Sequence, residues 1–398
     1  MQILIEGSGG SSGWPQPGCR CASCRRQAVA GNVRKRSTIL IDKEVRLEVG
    51  DTGAGARRAG ARELVVAGCR VRRLADARDP GRPEGAGGLG GWDVTSPDGG
   101  RLLYPARPGA VPVPPDGAAR YDIAFLDLLG GPAQLGLLRA RGLITDDTIT
   151  AVAFADHRVS SERELRRRCG FWRVAAPGDG DRVTTVRSDK KGSKDFARAT
   201  WRVPWRVLVL GGARSGKSEQ AELRLAGEPD VTYVATGPSV ASGLRGSSGP
   251  SGPGGAGGPA DPDWAARVAA HRARRPAWWR TTETTDLAAV LASAQGALLI
   301  DGIGTWLAAA LEECGAWDGS AESAARLAAR TAELVDAWRQ TAAHVVAVSD
   351  EAGLGVHPGT PAGRLFRDEL GRLNQALAAE SEEAELVVAG RILPLDIG

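Results

Sequence analysis

Long apolar segments are missing from this sequence of 398 residues. No stretch reaches the ~18 consecutive apolar residues that a membrane-spanning helix requires. The first residues, MQILIEGSGGSSG, hold one short apolar run with no basic segment before it, which is not the pattern of a secretory signal. We therefore expect a cytoplasmic protein without a membrane span.

Net charge, cysteine and lysine are also sparse. Lys and Arg together number 51 against 47 Asp and Glu, and the formal net charge of +4 gives no electrostatic reason to expect a nucleic-acid partner. The six cysteines do not form the dense pattern of a secreted disulfide framework. Lysine is scarce enough that Lys217 stands out. The length itself exceeds one typical hydrophobic core and favours two domains.

The stretch VLVLGGARSGKS at 207–218 is the most informative feature of the chain. It matches the phosphate-binding pattern G-x-x-x-x-G-K-[ST] at Gly211, Gly216, Lys217 and Ser218. In such a loop the backbone N–H groups surround a phosphate, the lysine supplies positive charge and the serine hydroxyl supplies a ligand for Mg²⁺. The alternative is a glycine-rich surface turn, but an apolar strand precedes this loop and a helical pattern, EQAELRL, follows it.

Two segments of biased composition divide the chain. Residues 186–205 have little apolar periodicity and predict a linker between domains at 1–185 and 206–398. Residues 238–260 are almost wholly Gly, Ser, Pro and Ala, a composition that predicts a disordered insertion. Around them, short apolar runs alternate with helical patterns, which predicts a mainly parallel α/β sheet. The runs are 231–235, 297–301, 344–348 and 385–389, and the helical patterns are 263–275, 321–340 and 368–380.

The carboxy-terminal half resembles one enzyme family over about residues 207–395. The motifs in order are GGARSGKS at 211–218, YVAT at 233–236, DPDWAARVAAHRARRPAWWRTTE at 261–283, LLIDGIGTWL at 298–307, VSDEAGLGVHP at 348–358, RLFRDELGRLNQALA at 364–378 and LVVAG at 386–390. This series resembles the bifunctional adenosylcobinamide kinase / adenosylcobinamide-phosphate guanylyltransferase of cobalamin biosynthesis. The resemblance implies a P-loop domain with a RecA-like, mainly parallel sheet.

The resemblance also implies roles for individual residues. His271 matches the histidine that becomes guanylylated, and an imidazole can attack phosphorus at neutral pH without another base. The alternative is a solvated histidine on a helix face among arginines. Lys217 is the second catalytic residue, and Ser218 and Asp301 are expected to hold Mg²⁺ beside the phosphates. The expected nucleotide-binding residues are Gly211, Gly212, Ala213, Arg214, Ser215, Gly216, Lys217, Ser218, Ala235, Thr236, Gly237, Arg272, Ala273, Arg274, Arg275, Glu283 and Asp301.

The sequence departs from the family's pattern at specific places. The insertion at 238–260 lengthens a link that is much shorter in the family, and Trp264 stands where methionine is usual. Asp350 replaces the usual asparagine before Glu351. These departures remove no catalytic group, and they concern the surface toward cobinamide and the kinase step more than guanylyl transfer.

The amino-terminal half carries a different pattern. GSGGSSGWPQPGCRCASCRRQ at 7–27 resembles the start of a branch of the metallo-β-lactamase fold, and implies an αββα sandwich. Cys19, Cys21 and Cys24 are spaced to chelate a structural zinc ion, with His157 and Cys169 as candidates for a fourth ligand. The alternative is three reduced thiols without metal.

Histidine is too scarce for the catalytic metal pair of that fold. Its enzymes use H-x-H-x-D-H and further histidines, whereas this chain has four histidines, of which only His157 precedes the phosphate loop. We therefore interpret residues 1–185 as a degenerate, non-hydrolytic domain with a structural or interaction role; help with corrinoid binding is a weaker alternative.

The combined prediction is an enzyme that phosphorylates adenosylcobinamide with ATP or GTP and then transfers GMP from GTP to give adenosyl-GDP-cobinamide. Its partners are these small molecules, its metal ions are Mg²⁺ and a structural Zn²⁺, and the resemblance implies a homo-oligomer. The competing interpretation is a nucleotide-binding regulatory or scaffold protein with an amino-terminal interaction module.

Overall fold

A computed structural model of the protein describes residues 1–49, 63–78, 88–185, 206–236 and 273–395. The described residues divide into two compact units. One contains the amino-terminal residues together with Ala226–Pro229, and the other contains the remainder of the carboxy-terminal half. No helix in these ranges is long and apolar enough to cross a membrane.

The first unit is a mixed α/β structure with two sheets. Its elements are β1 (Gln2–Gly7), α1 (Ala22–Val29), β2 (Thr38–Ile41), β3 (Val45–Glu48), β4 (Glu63–Val66), β5 (Cys69–Asp76), β6 (Leu89–Thr95), β7 (Arg101–Pro105), β8 (Pro112–Val113), β9 (Ile123–Leu126), α2 (Ala133–Ala140), β10 (Ile149–Val152), α3 (Glu162–Trp172) and β11 (Arg182–Thr184). One sheet has the order β11-β1-β2-β3, and the other has the order β10-β9-β7-β6-β5-β4 with β8 paired to β5.

Alternating apolar residues join the two sheets of the first unit into one core. In β1 the side chains of Ile3 and Ile5 are buried, because successive residues of a strand point to opposite faces. They belong to the same apolar cluster as Val94 and Phe125 from the other sheet. The first unit is therefore built as two sheets that share one core.

The second unit contains one mainly parallel sheet with helices between its strands. Its elements are β12 (Arg206–Gly211), α4 (Lys217–Leu225), β13 (Val231–Ala235), β14 (Arg280–Glu283), α5 (Leu287–Ser293), β15 (Ala297–Asp301), α6 (Ile303–Glu313), α7 (Ala321–Gln340), β16 (Val345–Asp350), α8 (Pro361–Ala379), β17 (Glu383–Val388) and β18 (Arg391–Pro394). The order is β14-β13-β15-β16-β12-β17-β18, and among these described strands only the β17–β18 pair is antiparallel. This arrangement agrees with the mainly parallel α/β sheet that the alternating pattern predicts.

Strand β12 lies inside this sheet and is buried on both faces. Val207 and Val209 pack into one apolar cluster, whereas Leu208 and Leu210 pack into another on the opposite face. A continuous apolar run is the sequence signature of a strand covered on both sides. The strand therefore delivers the following glycine-rich loop to the carboxyl edge of the sheet, where ligands bind in open α/β folds.

The predicted element bounds agree with the structure to within two residues at every described end except one. The pattern 321–340 corresponds to α7, but the pattern 368–380 begins too late, because α8 starts at Pro361. Thr360 caps that helix by accepting from the Gly363 N–H, and proline is favoured in the first helical turn. Most of the predicted helix 263–275, the linker 186–205 and the insertion 238–260 lie outside the described residues.

Candidate functional site

The glycine-rich loop turns tightly between β12 and α4. Ser215 donates its N–H to the Gly212 carbonyl at 3.2 Å, and Gly216 has φ of +94°, a conformation that favours glycine. A side chain at position 211 would clash, because an added Cβ would lie 2.5 Å from the Ser215 Oγ. Gly212, Ala213 and Arg214 are exposed at the tip of the loop. The loop therefore has the local geometry that the phosphate-binding pattern requires.

Lys217 begins α4 and forms an ion pair with a residue from a neighbouring strand. Its Nζ lies 2.7 Å from the Asp350 Oδ1 and donates to the Gly212 carbonyl at 3.2 Å. Asp350 ends β16, which pairs directly with β12 so that Gly211 and Asp350 are register partners. The strand order thus places a carboxylate beside the lysine of the loop.

Polar residues collect where the parallel strands end. Ala235 on β13 is the register partner of both Glu283 on β14 and Asp301 on β15, so the three lie in one row across the sheet. Ser218 donates its hydroxyl to the Asp301 Oδ1 at 3.3 Å. A hydroxyl and a carboxylate at this separation are oxygen donors of the kind that Mg²⁺ prefers.

Tyr233 supports Asp301 from the adjacent strand. Its hydroxyl donates to the Asp301 Oδ2 at 2.8 Å. Burial and then the nearby Asp301 charge raise the pKa of Tyr233 well above its usual value, so the phenol stays protonated and remains a donor. The guanidinium of Arg275 lies 3.6 Å from the centre of the Tyr233 ring, a cation–π contact. Asp301 is therefore oriented by hydrogen bonds from two sides.

The remaining described nucleotide-site candidates also lie near this edge. Arg274, which follows the exposed Ala273, binds Glu222 of α4 at 3.0 and 3.2 Å. The hydrogen bond with Glu222 raises the pKa of Arg274 above its usual value. Thr236 donates to or accepts from the Thr305 hydroxyl at 2.6 Å at the start of α6. Gly237, His271 and Arg272 lie outside the described residues.

In the first unit, the three cysteines of the C-x-C-x-x-C pattern lie together with His157. One ligand atom from each of Cys19, Cys21, Cys24 and His157 lies within 4.8 Å of all the others, and the Cys24 Sγ is 3.9 Å from the His157 Nδ1. Three sulfurs and one imidazole nitrogen suit a tetrahedral zinc site, in which ligand atoms are separated by roughly 3.5–4 Å for zinc–ligand distances of about 2.0–2.3 Å. The donor set therefore fits Zn²⁺.

Helix α1 shapes the thiol environment in this cluster. Cys21 is the residue before the helix, and its sulfur accepts a hydrogen bond from the Cys24 N–H. This hydrogen bond is the main cause of the lowered pKa of the Cys21 thiol. Burial raises the pKa of Cys24 to about 11. Cys169, the other candidate ligand, lies in α3 outside the cluster, and burial raises the pKa of its thiol to about 12.

Hydrogen bonds join α1 to the segment that carries His157. Ser23 donates to the Val159 carbonyl at 2.7 Å, and Arg26 donates to the Ser160 carbonyl at 2.9 Å. These contacts bring together residues more than 130 positions apart in the chain. Proximity in the fold therefore favours His157 over Cys169 as the fourth ligand.

The buried carboxylate of Asp127 in the first unit is bound by an arginine. Asp127 is buried after β9, and its Oδ2 accepts from the Arg158 Nη1 at 2.8 Å. Arg158 also donates to the Asp156 Oδ1 at 2.8 Å through Nε and to the Phe154 carbonyl at 3.1 Å through Nη2. A guanidinium thus provides the positive charge next to Asp127.

Comparison with known proteins agrees with the site in the second unit. A family model described as cobinamide kinase / cobinamide phosphate guanyltransferase matches residues 253–395. The bifunctional adenosylcobalamin biosynthesis protein CobP of Pseudomonas aeruginosa is 37% identical over 196 residues, which cover 48% of this chain and 96% of that protein. The corresponding protein CobU of Salmonella typhimurium is 35% identical over 199 residues, covering 46% of this chain and 96% of the relative. The chain belongs to this family.

Membership in the cobinamide kinase / guanyltransferase family accounts for about half of the chain. A solved structure of Zn²⁺-bound PqqB from Methylobacterium extorquens is also similar, with a TM-score of 0.30 and 16% identity, covering 46% of this chain and all of that one. This likeness is too weak to establish a fold.

Two contacts in this site of the cobinamide kinase family could not be predicted from the sequence. The ion pair of Lys217 with Asp350 and the hydrogen bond from Tyr233 to Asp301 both join residues on different strands. Asp350 follows the apolar run VVAVS just as Asp301 follows ALLI, so both carboxylates could be predicted to lie at the end of a buried strand. What the sequence lacks is the strand order that puts Asp350 beside the loop.

Proposed function

We propose that this protein phosphorylates the aminopropanol hydroxyl of adenosylcobinamide with ATP or GTP, and then transfers GMP from GTP to the new phosphate to form adenosyl-GDP-cobinamide. The observation that carries the proposal is the glycine-rich loop at the carboxyl edge of the sheet, which ends in Lys217 and brings Ser218 within hydrogen-bonding distance of Asp301. Support also comes from relatives named as bifunctional adenosylcobalamin biosynthesis proteins, which this chain matches over 96% of their length.

In the kinase step, the substrate hydroxyl oxygen attacks the γ-phosphorus, the nucleoside diphosphate leaves and the hydroxyl proton is released. Lys217 supplies positive charge to the transferring phosphoryl group, which gains most from groups that are already in position. Ser218 and Asp301 fit Mg²⁺, which when bound would neutralise charge on the phosphate oxygens. Tyr233 keeps the Asp301 carboxylate in a fixed orientation.

In the guanylyl transfer step, an imidazole nitrogen of His271 attacks the α-phosphorus of GTP and pyrophosphate leaves. A phosphate oxygen of adenosylcobinamide phosphate then attacks the same phosphorus, the P–N bond breaks and the histidine is regenerated. The role of His271 rests on its sequence setting among Arg267, Arg272, Arg274 and Arg275, whose charges suit a polyphosphate. Glu283 is a suitable acceptor for donors of guanine or ribose.

Incubation with GTP labelled with ³²P in the α-phosphate tests this proposal. We expect a protein–GMP adduct that survives base and is lost in acid, because a P–N bond to imidazole has that stability. Addition of adenosylcobinamide phosphate is expected to discharge the label into product. A nucleotide-binding scaffold would bind labelled GTP reversibly and form no adduct, so that result would contradict the enzyme proposal.

We further propose assignments for the domains. Residues 1–185 form a degenerate metallo-β-lactamase-like αββα domain, residues 186–205 link it to the rest, and residues 206–398 form a RecA-like P-loop domain that assembles as a homo-oligomer. The two sheets around one core support the sandwich. The Arg158 guanidinium that pairs with the buried Asp127, and the presence of only one histidine before the phosphate loop, support a non-hydrolytic first domain. The homo-oligomer is supported only by the family resemblance.

We also propose that Cys19, Cys21, Cys24 and His157 hold a structural Zn²⁺. Replacing His157 by alanine is expected to lower zinc content from about one ion per chain toward zero and to lower the melting temperature, because a structural site needs four ligands and its metal stabilises the fold. Inductively coupled plasma mass spectrometry of the purified protein measures the metal.

Cys169→Ala is the matched control for the zinc site. It removes the other candidate ligand, which is buried outside the cluster, and is expected to retain zinc. If zinc were lost from the Cys169 variant but kept in the His157 variant, the fourth ligand would be Cys169 and the assignment to His157 would be wrong. Zinc absent from the unmodified protein would favour three reduced thiols.

A further inference from the structure

The lysine of the phosphate loop is paired with a carboxylate at the position where it is expected to contact phosphate. Lys217 places Nζ 2.7 Å from the Asp350 Oδ1, and it also donates to the carbonyl of Gly212 in its own loop. Its side chain is 14% exposed, whereas that of Asp350 is 48% exposed. Any phosphate that binds Lys217 must therefore share it with Asp350 or displace that carboxylate.

The backbone of Asp350 is fixed by pairing with β12 in the sheet and by a hydrogen bond from α8. The register pairs Asp350 with Gly211, and the Asn374 side chain donates to the Asp350 carbonyl at 3.0 Å. Ser349 fixes Asn374 by donating to its Oδ1 at 2.6 Å. These contacts use the backbone of Asp350, so they leave the carboxylate directed at Lys217.

Among the described residues, Lys217 is the cation that pairs with the Asp350 carboxylate. Asp301 adds a second negative charge beside Ser218, while Arg274 binds Glu222. Lys217 is the only lysine in residues 206–398. Arg214 at the exposed tip of the loop and Arg275 over the Tyr233 ring add positive charge farther out. Close to the loop, a free nucleoside triphosphate, which carries several negative charges, would meet two carboxylates and one shared lysine, whereas a divalent cation bound to the triphosphate offsets that repulsion.

We propose that Asp350 makes the phosphate loop select nucleoside triphosphates complexed with a divalent cation over the free nucleotide. This inference rests on the proposed function, because it assigns a specificity to the same phosphate loop. Asp350 acts as a positioning residue: it sets the availability of Lys217 through the ion pair and touches no reacting atom in this role.

Binding of the α,β-methylene analogue of GTP tests the inference, because this analogue does not release GMP to a nucleophile. Affinity is measured by isothermal titration calorimetry with excess Mg²⁺ and again with EDTA. Asp350→Asn keeps the shape of the side chain and removes its charge. We expect this variant to bind the analogue about tenfold more tightly in EDTA, because removal of one unit charge at short range and with partial screening changes the binding free energy on that scale. The gain in affinity in Mg²⁺ is expected to be much smaller. The preference for the metal complex is therefore expected to fall severalfold.

Asp368→Asn is the matched control. Asp368 is also 48% exposed and paired with a cation, Arg367, but it lies on α8 and makes no contact with Lys217 among the described residues. An unchanged preference in Asp350→Asn, or an equal change in Asp368→Asn, would overturn the inference while leaving the proposed function intact. Absence of analogue binding by the unmodified protein in both conditions would instead overturn both.

Discussion

Replacing His271 by alanine is expected to abolish the protein–GMP adduct and guanylyl transfer to adenosylcobinamide phosphate. Alanine has no atom that can form the P–N bond, and direct attack by the substrate phosphate on GTP would have to proceed without the covalent intermediate. The variant is incubated with α-³²P-labelled GTP, and both bound label and labelled product are counted. We expect both signals to fall to background while the folded protein and its melting temperature are retained.

His344→Ala provides the control for loss of a histidine. His344 immediately precedes β16 and therefore lies at the amino end of that strand, whereas Asp350 marks its carboxyl end. Its replacement is expected to leave labelling unchanged. Stoichiometric labelling of the His271 variant would assign the nucleophile to another residue and contradict the proposed mechanism. Loss of labelling in both variants would point to a general effect on folding.

Local signals predict the phosphate loop well because its chemistry is contained in adjacent residues. The strand before Gly211, the glycines and the helix beginning at Lys217 are all consecutive in the chain. The carboxyl edge of the sheet is also predictable for Asp301, because it ends a strand in an alternating α/β pattern. The structure adds that Ser218 and Asp301 are within hydrogen-bonding distance.

Contacts that depend on strand order are not predictable in the same way. Asp350 is 133 residues from Lys217 in the sequence, and their ion pair exists because β16 lies beside β12. The choice between His157 and Cys169 as the fourth zinc ligand also depends on contacts between residues that are distant in the sequence. Sequence spacing alone does not decide between these two residues. In the structure, hydrogen bonds between α1 and residues 159–160 hold His157 close to the three cysteines. The role of His271 stays a prediction, since that residue lies outside the described ranges.

Replacing Lys217 by alanine is expected to reduce both the kinase and the guanylyltransferase reactions by about 10²- to 10³-fold in kcat, by analogy with other preorganised charge contacts. Lys217 is the only lysine in residues 206–398, and no nearby lysine can take its place. The substitution also leaves Asp350 without its ion-pair partner and facing the phosphates. Initial rates of both steps are measured with saturating cobinamide substrate and Mg²⁺.

Two further variants separate the missing positive charge from the exposed negative one. Lys43→Ala removes an exposed lysine from the first unit and is expected to leave both rates unchanged. In Lys217→Ala combined with Asp350→Asn, the repulsion from Asp350 is gone, so we expect part of the lost rate to return. Two residues in direct contact are expected to show such non-additive effects. If only one activity is lost in Lys217→Ala, the two reactions use separate nucleotide sites. If both reactions proceed at the rate of the unmodified protein, the function assigned to the phosphate loop is wrong.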